Sequence, residues 1–145
     1  MMNIQVINGP NMNLLGIREP DIYGTFTMEE INRQLTRKGE ELGIALNFYQ
    51  SNHEGDIIDK IQECYGNVDG IVINPGAYTH YSIAIRDAIA AVGILTVEVH
   101  LSDINSREDF RKISVIKNVC VKQIWGKGIN SYTEALEFLV KKLEQ

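Results

Sequence analysis

Cysteine is scarce here. Cys64 and Cys120 are the only two in 145 residues, far apart and outside any Cys-x-x-Cys spacing. That argues against a disulfide framework and reads as reduced, buried thiols in a cytoplasmic protein. Positive charge is in deficit: 14 Lys and Arg against 19 Asp and Glu give a net charge of -5. Such a balance argues against a nucleic-acid partner while leaving room for a local basic pocket. No apolar run reaches the ~18 residues that span a bilayer, and no charged segment followed by an apolar one opens the chain. No membrane partner is therefore expected, and a cytoplasmic location is. Histidine is rare too, and His53, His80 and His100 show neither His-Glu-x-x-His nor Cys/His zinc spacing. A phosphate-binding Gly-x-x-x-x-Gly-Lys loop, a Gly-x-Gly-x-x-Gly turn after the first strand and a Gly-x-Ser-x-Gly elbow are all missing. Nucleotide-dependent and serine-nucleophile chemistries are thereby disfavoured, and a cofactor-free acid/base reaction is what remains.

What is present is ordinary globular composition, 44% hydrophobic and 23% charged, enough for one domain over residues 1–145. Apolar runs alternate with helical segments. Strands are expected at 4–7, 44–50, 70–74, 94–99 and 119–125. Helices are expected at 27–42, 55–65, 82–91 and 131–143, with a helical turn at 106–110. Thr27 and Glu30 have capping-box spacing, as do Ser106 and Asp109. The alternation predicts an α/β protein, a parallel sheet covered by helices on both faces. Five strands favour the flavodoxin-like order 2-1-3-4-5. Ligands in such sheets bind beyond the C-terminal strand ends, at the switch point between strands one and three.

The segments leaving those strands are polar. Asn8 to Gly24 is unusually long for a connection of this kind, with turns or hinges at Gly9-Pro10, Gly16 and Gly24. Leu14, Leu15 and Ile17 are expected to pack it down. The segment carries Arg18 and Tyr23. An ordinary tyrosine titrates near pH ~10, but a neighbouring guanidinium favours the phenolate, which can act as a base. A packing tyrosine beside a solvated arginine fits the spacing equally. Glu98 and His100 project from one face of strand four, as an acid/base pair or as a satisfied structural histidine. His80 is expected to begin a helix, and His53 to be structural. Arg107 and Arg111 share a helical face, for ligand carboxylates and hydroxyls or for ion pairs with Glu108 and Asp109. Backbone N–H groups around Leu101 and Ser102 can hold an anion. Asp87 sits on the helix after His80, solvated or reaching a neighbouring subunit. Tyrosine, histidine, asparagine and arginine together suit proton abstraction beside a carbonyl with loss of a hydroxyl.

Four segments carry a family resemblance. They are Ile7-Asn-Gly-Pro-Asn-Met-Asn-Leu-Leu-Gly-Ile-Arg-Glu-Pro-Asp-Ile-Tyr-Gly24, Gln50-Ser-Asn-His-Glu-Gly55, Ile73-Asn-Pro-Gly-Ala-Tyr-Thr-His80 and Val97-Glu-Val-His-Leu-Ser102. In these, and over nearly its whole length, the chain closely resembles the type II 3-dehydroquinate dehydratases (type II dehydroquinases). The resemblance implies dehydration of 3-dehydroquinate to 3-dehydroshikimate through an enolate, in the shikimate pathway. Tyr23 matches the base, Arg18 the arginine favouring its phenolate, and Asn11 an asparagine that helps hold the enolate. His100 matches the general acid, and Glu98 the carboxylate behind it. Asn74, Leu101 and Ser102 match substrate-binding positions, and His80 and Arg111 match contacts to substrate hydroxyls. Asp87 matches a residue donated across a trimer interface. The resemblance implies no metal or organic cofactor, and a homo-oligomer, a dodecamer of four trimers. Asp103 departs from a common asparagine and Tyr81 from a common small hydroxyl residue, neither at a catalytic position.

Two other classes remain open on residues alone. A flavodoxin-like phosphate or flavin binder would carry a Ser/Thr/Gly-rich loop after strand one, where Asn, Pro and Leu dominate here. An inactive interaction protein would have lost Tyr23 or His100.

Overall fold

Branched aliphatic residues fill the apolar runs, and they form strands because such side chains pack well on a pleated surface. The computed structural model describes residues 1–17 and 19–145, and Arg18 lies outside the described residues. Five strands form one sheet: β1 (Asn3–Asn8), β2 (Ala45–Gln50), β3 (Gly70–Asn74), β4 (Leu95–Val99) and β5 (Lys122–Ile124). Every pairing is parallel and the order is β2-β1-β3-β4-β5, the flavodoxin-like order expected.

The helices are α1 (Pro20–Tyr23), α2 (Met28–Leu42), α3 (Glu54–Cys64), α4 (Ile83–Val92) and α5 (Ile129–Leu143). Side chains alternate across each strand, so the sheet has two apolar faces. Val6, Val72 and Val97 pack with Leu35 of α2 and Leu136 of α5. Ile7, Ile71 and Ile73 turn the other way, onto Ile61 of α3 and Ile89 of α4. Burying each such side chain contributes about 1.5–3 kcal/mol. Thr27 caps α2 as its spacing predicts, its hydroxyl accepting from the Glu30 N–H at 3.2 Å. Among the described residues no helix is long and apolar enough to cross a membrane.

Several local expectations are corrected. The last strand is three residues, not seven, because β4 ends at Val99 and the ladder closes with the His100 N–H donating to Ile124. Residues 104–111 form two 3₁₀ turns, Ile104–Ser106 and Asp109–Arg111, rather than one helical turn. The first is capped by Asp103, whose carboxylate accepts from the Asn105 N–H at 2.9 Å, while the Ser106 hydroxyl donates to the Asp103 carbonyl; the second follows Glu108 without a side-chain cap. Asp and Asn cap equally well, which accounts for the departure at 103. Tyr81 is accommodated because it is exposed, edge-on to Tyr78. His80 ends a 3₁₀ helix (Gly76–His80) rather than beginning an α-helix, and Ser82 caps α4 instead.

The long first connection is not bare loop. It holds a 3₁₀ turn (Met12–Leu14) and α1, anchored by buried Met12 and Leu15, whereas Leu14 and Ile17 are exposed. Its root is fixed. Gly9 N–H donates to the Asn74 carbonyl at 2.8 Å, and a Cβ at Gly9 would stand 2.6 Å from the Pro75 oxygen. Only glycine allows that approach. Gly9-Pro10 is therefore a clamp rather than the hinge its composition suggested.

Candidate active site

The strand ends terminate in polar residues that cannot be buried unpaired. Asn8 and Asn74 lie side by side in the β1–β3 register. Between them and α5, the fully buried Tyr132 hydroxyl donates to Asn8 Oδ1 at 2.6 Å and accepts from Asn74 Nδ2 at 3.0 Å. Asn74 Oδ1 in turn accepts from the Gly76 N–H at 3.1 Å. These bonds lock the Asn74 amide and leave one of its hydrogens for a ligand.

Beyond the ends of β3 and β4 lies a cavity partly open to solvent, with about 420 Å³ between its walls when that open space is included. Tyr23 and Met12 reach its wall from the connection after β1, and Asn74 and His80 from that after β3. His100, Leu101, Ser102, Arg107 and Arg111 close it from the segment after β4. The carbonyls of Leu101 and Ser102 are committed to the N–H groups of Gly128 (3.1 Å) and Gly126 (3.0 Å). Their own N–H groups are what they can offer a ligand.

On one wall the Arg107 guanidinium donates to the Tyr23 hydroxyl at 2.7 Å and lies 5.1 Å from the ring centroid. Its other amino group is 3.9 Å from Glu19. The guanidinium thus both donates to the phenolic oxygen and covers the ring. On another wall His100 Nε2 meets Glu98 Oε2 at 2.6 Å. Glu98 is fully buried and also accepts from Thr79 (2.6 Å) and Ser114 (2.8 Å). Burial alone would push this carboxyl up, but the hydrogen bond and charge of His100, with the two hydroxyls, hold it below the usual carboxylate range. An ionised Glu98 makes Nε2 of His100 the protonated nitrogen, so Nδ1 is the one available to a ligand.

His80 is held differently. Its Nδ1 lies 2.7 Å from the Ile113 carbonyl, which can only accept, so Nδ1 carries the proton. Burial, more than the charges nearby, lowers its pKa and favours the neutral ring. Neutral His80 then presents Nε2 as an acceptor, suited to a hydroxyl.

The depressed Glu98 carboxyl has a consequence for stability. Its folded pKa lies below the unfolded value near 4.3, so its contribution is complete above about pH 4.3 and lost as pH falls through the folded value. Thermal unfolding between about pH 6 and about pH 3 should show the wild type losing more stability than Glu98→Gln. An equal or larger loss in the variant would mean the carboxyl is not held low.

Of the residues singled out in the sequence, the cavity brings together Tyr23, Asn74, His80, His100, Leu101, Ser102 and Arg111, with Glu98 directly behind His100. Arg18 is outside the described residues. Asn11 is exposed in left-handed backbone (φ 68°), its N–H donating to Asn52 Oδ1, and is not on the wall. Asp87 is exposed on α4, also off the wall. Arg107 and Arg111 share no helix face, because Arg107 follows the first 3₁₀ turn in extended backbone. Both face the cavity nonetheless. Arg111 also makes the surface pair expected of it, Nε to Glu108 Oε2 at 2.8 Å, ionic rather than a well-aligned hydrogen bond. Thr79, Ser114 and Tyr132 were missed: single hydroxyls carry no spacing signal.

Comparison with known proteins decides the family. The family model described as dehydroquinase class II matches residues 2–140. The chain belongs to the class II dehydroquinases. Curated members of this family are close in sequence. The 3-dehydroquinate dehydratase of Caldicellulosiruptor bescii is 57% identical, covering 99% of this chain and 100% of its own. That of Carboxydothermus hydrogenoformans is 54% identical over 99% of this chain and 94% of its own. The crystal structure of type II dehydroquinase from Butyrivibrio crossotus superposes with a TM-score of 0.94 at 56% identity, covering 95% of this chain and 97% of that one.

Proposed function

We propose that this chain is a 3-dehydroquinate dehydratase acting in aromatic biosynthesis, and that Tyr23 and His100 divide the proton transfers between them. The observation that carries the reading is one cavity holding a tyrosine with a guanidinium on its oxygen and a histidine backed by an ionised glutamate. The Tyr23 phenolate takes the proton next to the ketone, and the electrons of that C–H bond form the enolate. The enolate then expels the C1 hydroxyl, which takes a proton from His100 Nδ1 and leaves as water. The product is a conjugated enone, and both protein groups must regain their starting protonation before the next turnover.

By the resemblance Arg18 is the arginine that favours the Tyr23 phenolate, and Arg107 donates to the same oxygen. Glu98 balances the positive charge of His100 before it gives up its proton. Leu101 and Ser102 offer N–H groups to the substrate carboxylate, while Asn74, His80 and Arg111 take its hydroxyls. By the resemblance alone, Asn11 is the residue that helps hold the enolate; here it stands exposed beside the cavity rather than on its wall. Asp87, exposed on α4, serves a neighbouring copy's site within the trimers of a cytoplasmic dodecamer. No metal or organic cofactor is required.

Adding 3-dehydroquinate to purified protein should raise the ultraviolet absorbance as the enone forms, and chelator should leave the rate unchanged. No rise between about pH 6 and about pH 9 with folded protein would overturn the reading. Inhibition by chelator would overturn its cofactor-free form.

A further inference from the structure

Glu98 is fully buried, yet the reaction above uses only its contact with His100. Two hydroxyls outside the proposed chemistry complete its surroundings. Thr79 Oγ1 is 2.6 Å from Oε2, the same oxygen that meets His100. Ser114 Oγ is 2.8 Å from Oε1 and 2.9 Å from Oε2. Each hydroxyl owns one proton. If both protons go to the carboxylate, the 3.2 Å approach of Thr79 to Ser114 is not a further hydrogen bond.

Both donors are themselves aimed. Ser114 Oγ accepts from the Lys117 N–H at 3.1 Å, which turns its proton toward Glu98. Thr79 is fully buried, and its carbonyl accepts from the Val115 N–H at 2.8 Å. The connection after β3 and the segment before β5 are thus joined around one carboxylate from β4. Without the hydroxyls, Glu98 would keep His100 as its single donor among these groups. Its remaining lone pairs would lie buried and unpaired, a state relieved by protonation or rotation of the carboxyl. Either change releases the His100 ring.

We propose that Thr79 and Ser114 are positioning residues for the acid: they fix Glu98 as an oriented carboxylate, and through it the ring of His100. The inference rests on the reading of His100 as the acid. Thr79→Val keeps the shape and removes the donor, and Ser114→Ala removes the other. Each should lower kcat about tenfold, the scale on which partners that orient a functional histidine act, with KM changed by less than about twofold. Thr79→Ser should restore kcat to within about twofold of wild type, because it returns the hydroxyl.

A second measurement does not depend on turnover. In protein with labelled histidine, the Nε2–H proton held by Glu98 should give a downfield resonance, assigned by its loss in His100→Ala. It should broaden or vanish in Thr79→Val and Ser114→Ala and persist in Thr79→Ser. An unchanged resonance and unchanged kcat in the double variant would overturn the proposal, as would a rise in KM alone. Should Thr79→Val not fold, Ser114→Ala, at a half-buried position, decides by the same readouts. A wild type without dehydratase activity would sink the functional reading, while the resonance would still report whether the hydroxyls hold the pair.

Discussion

Tyr23→Phe should lower kcat by about 10²–10⁴-fold while leaving 3-dehydroquinate binding within a few-fold of wild type. The substitution removes one oxygen and keeps the ring on the cavity wall. The Arg107 guanidinium, 5.1 Å from the ring centroid, retains its contact with the aromatic face of phenylalanine, so the wall should keep its shape. Initial rates followed by enone absorbance and binding followed by calorimetry separate the two effects. A variant turning over at near the wild-type rate would mean that another group takes the proton. A variant that loses binding and rate together would make Tyr23 a substrate contact rather than the base.

The second large effect is expected at Arg107. Its guanidinium donates to the Tyr23 hydroxyl at 2.7 Å, with the side chain only 13% exposed, so solvent screens this contact weakly. Arg107→Met keeps the aliphatic stem and deletes the charge, and should cost about 10²–10³-fold in kcat, the scale of losing one preorganised donor. Arg107→Lys should recover little of it. An ammonium is a point charge and cannot both donate to the hydroxyl and stack on the ring as the planar fork does. Near-wild-type kcat in Arg107→Met would transfer the whole task to Arg18. Comparing Arg18→Met in the same assay completes the assignment.

Arg107 also marks where the sequence becomes hard to read. Its local neighbours, Glu108 and Asp109, suggest a surface ion-pairing helix, yet its partner Tyr23 is 84 residues away. Nothing in local spacing encodes that contact. The same holds for Thr79, which meets a carboxylate 19 residues on, and for Tyr132, bonded to Asn74 across 58 residues. Segments with a repeating period were legible. Ile31 and Leu35 mark the buried face of α2, and Thr27 and Gly43 mark its ends where the structure has them. The Glu98–His100 pair was legible too, because two residues apart on a strand is a fixed geometry. Residues 104–111 were not, since short 3₁₀ turns have no apolar periodicity and the cap of the first, Asp103, stands before the segment that looked helical.

The backbone contact between Gly9 and Pro75 has a mechanical consequence. With 2.6 Å separating a would-be Cβ from the Pro75 oxygen, the roots of the two connections form a single rigid block. A side chain introduced at Gly9 would act at a distance, prying Pro75 outward and carrying Asn74 off the cavity wall. The segment bearing the proposed base therefore starts from a fixed origin, tied to the strand end that carries Asn74.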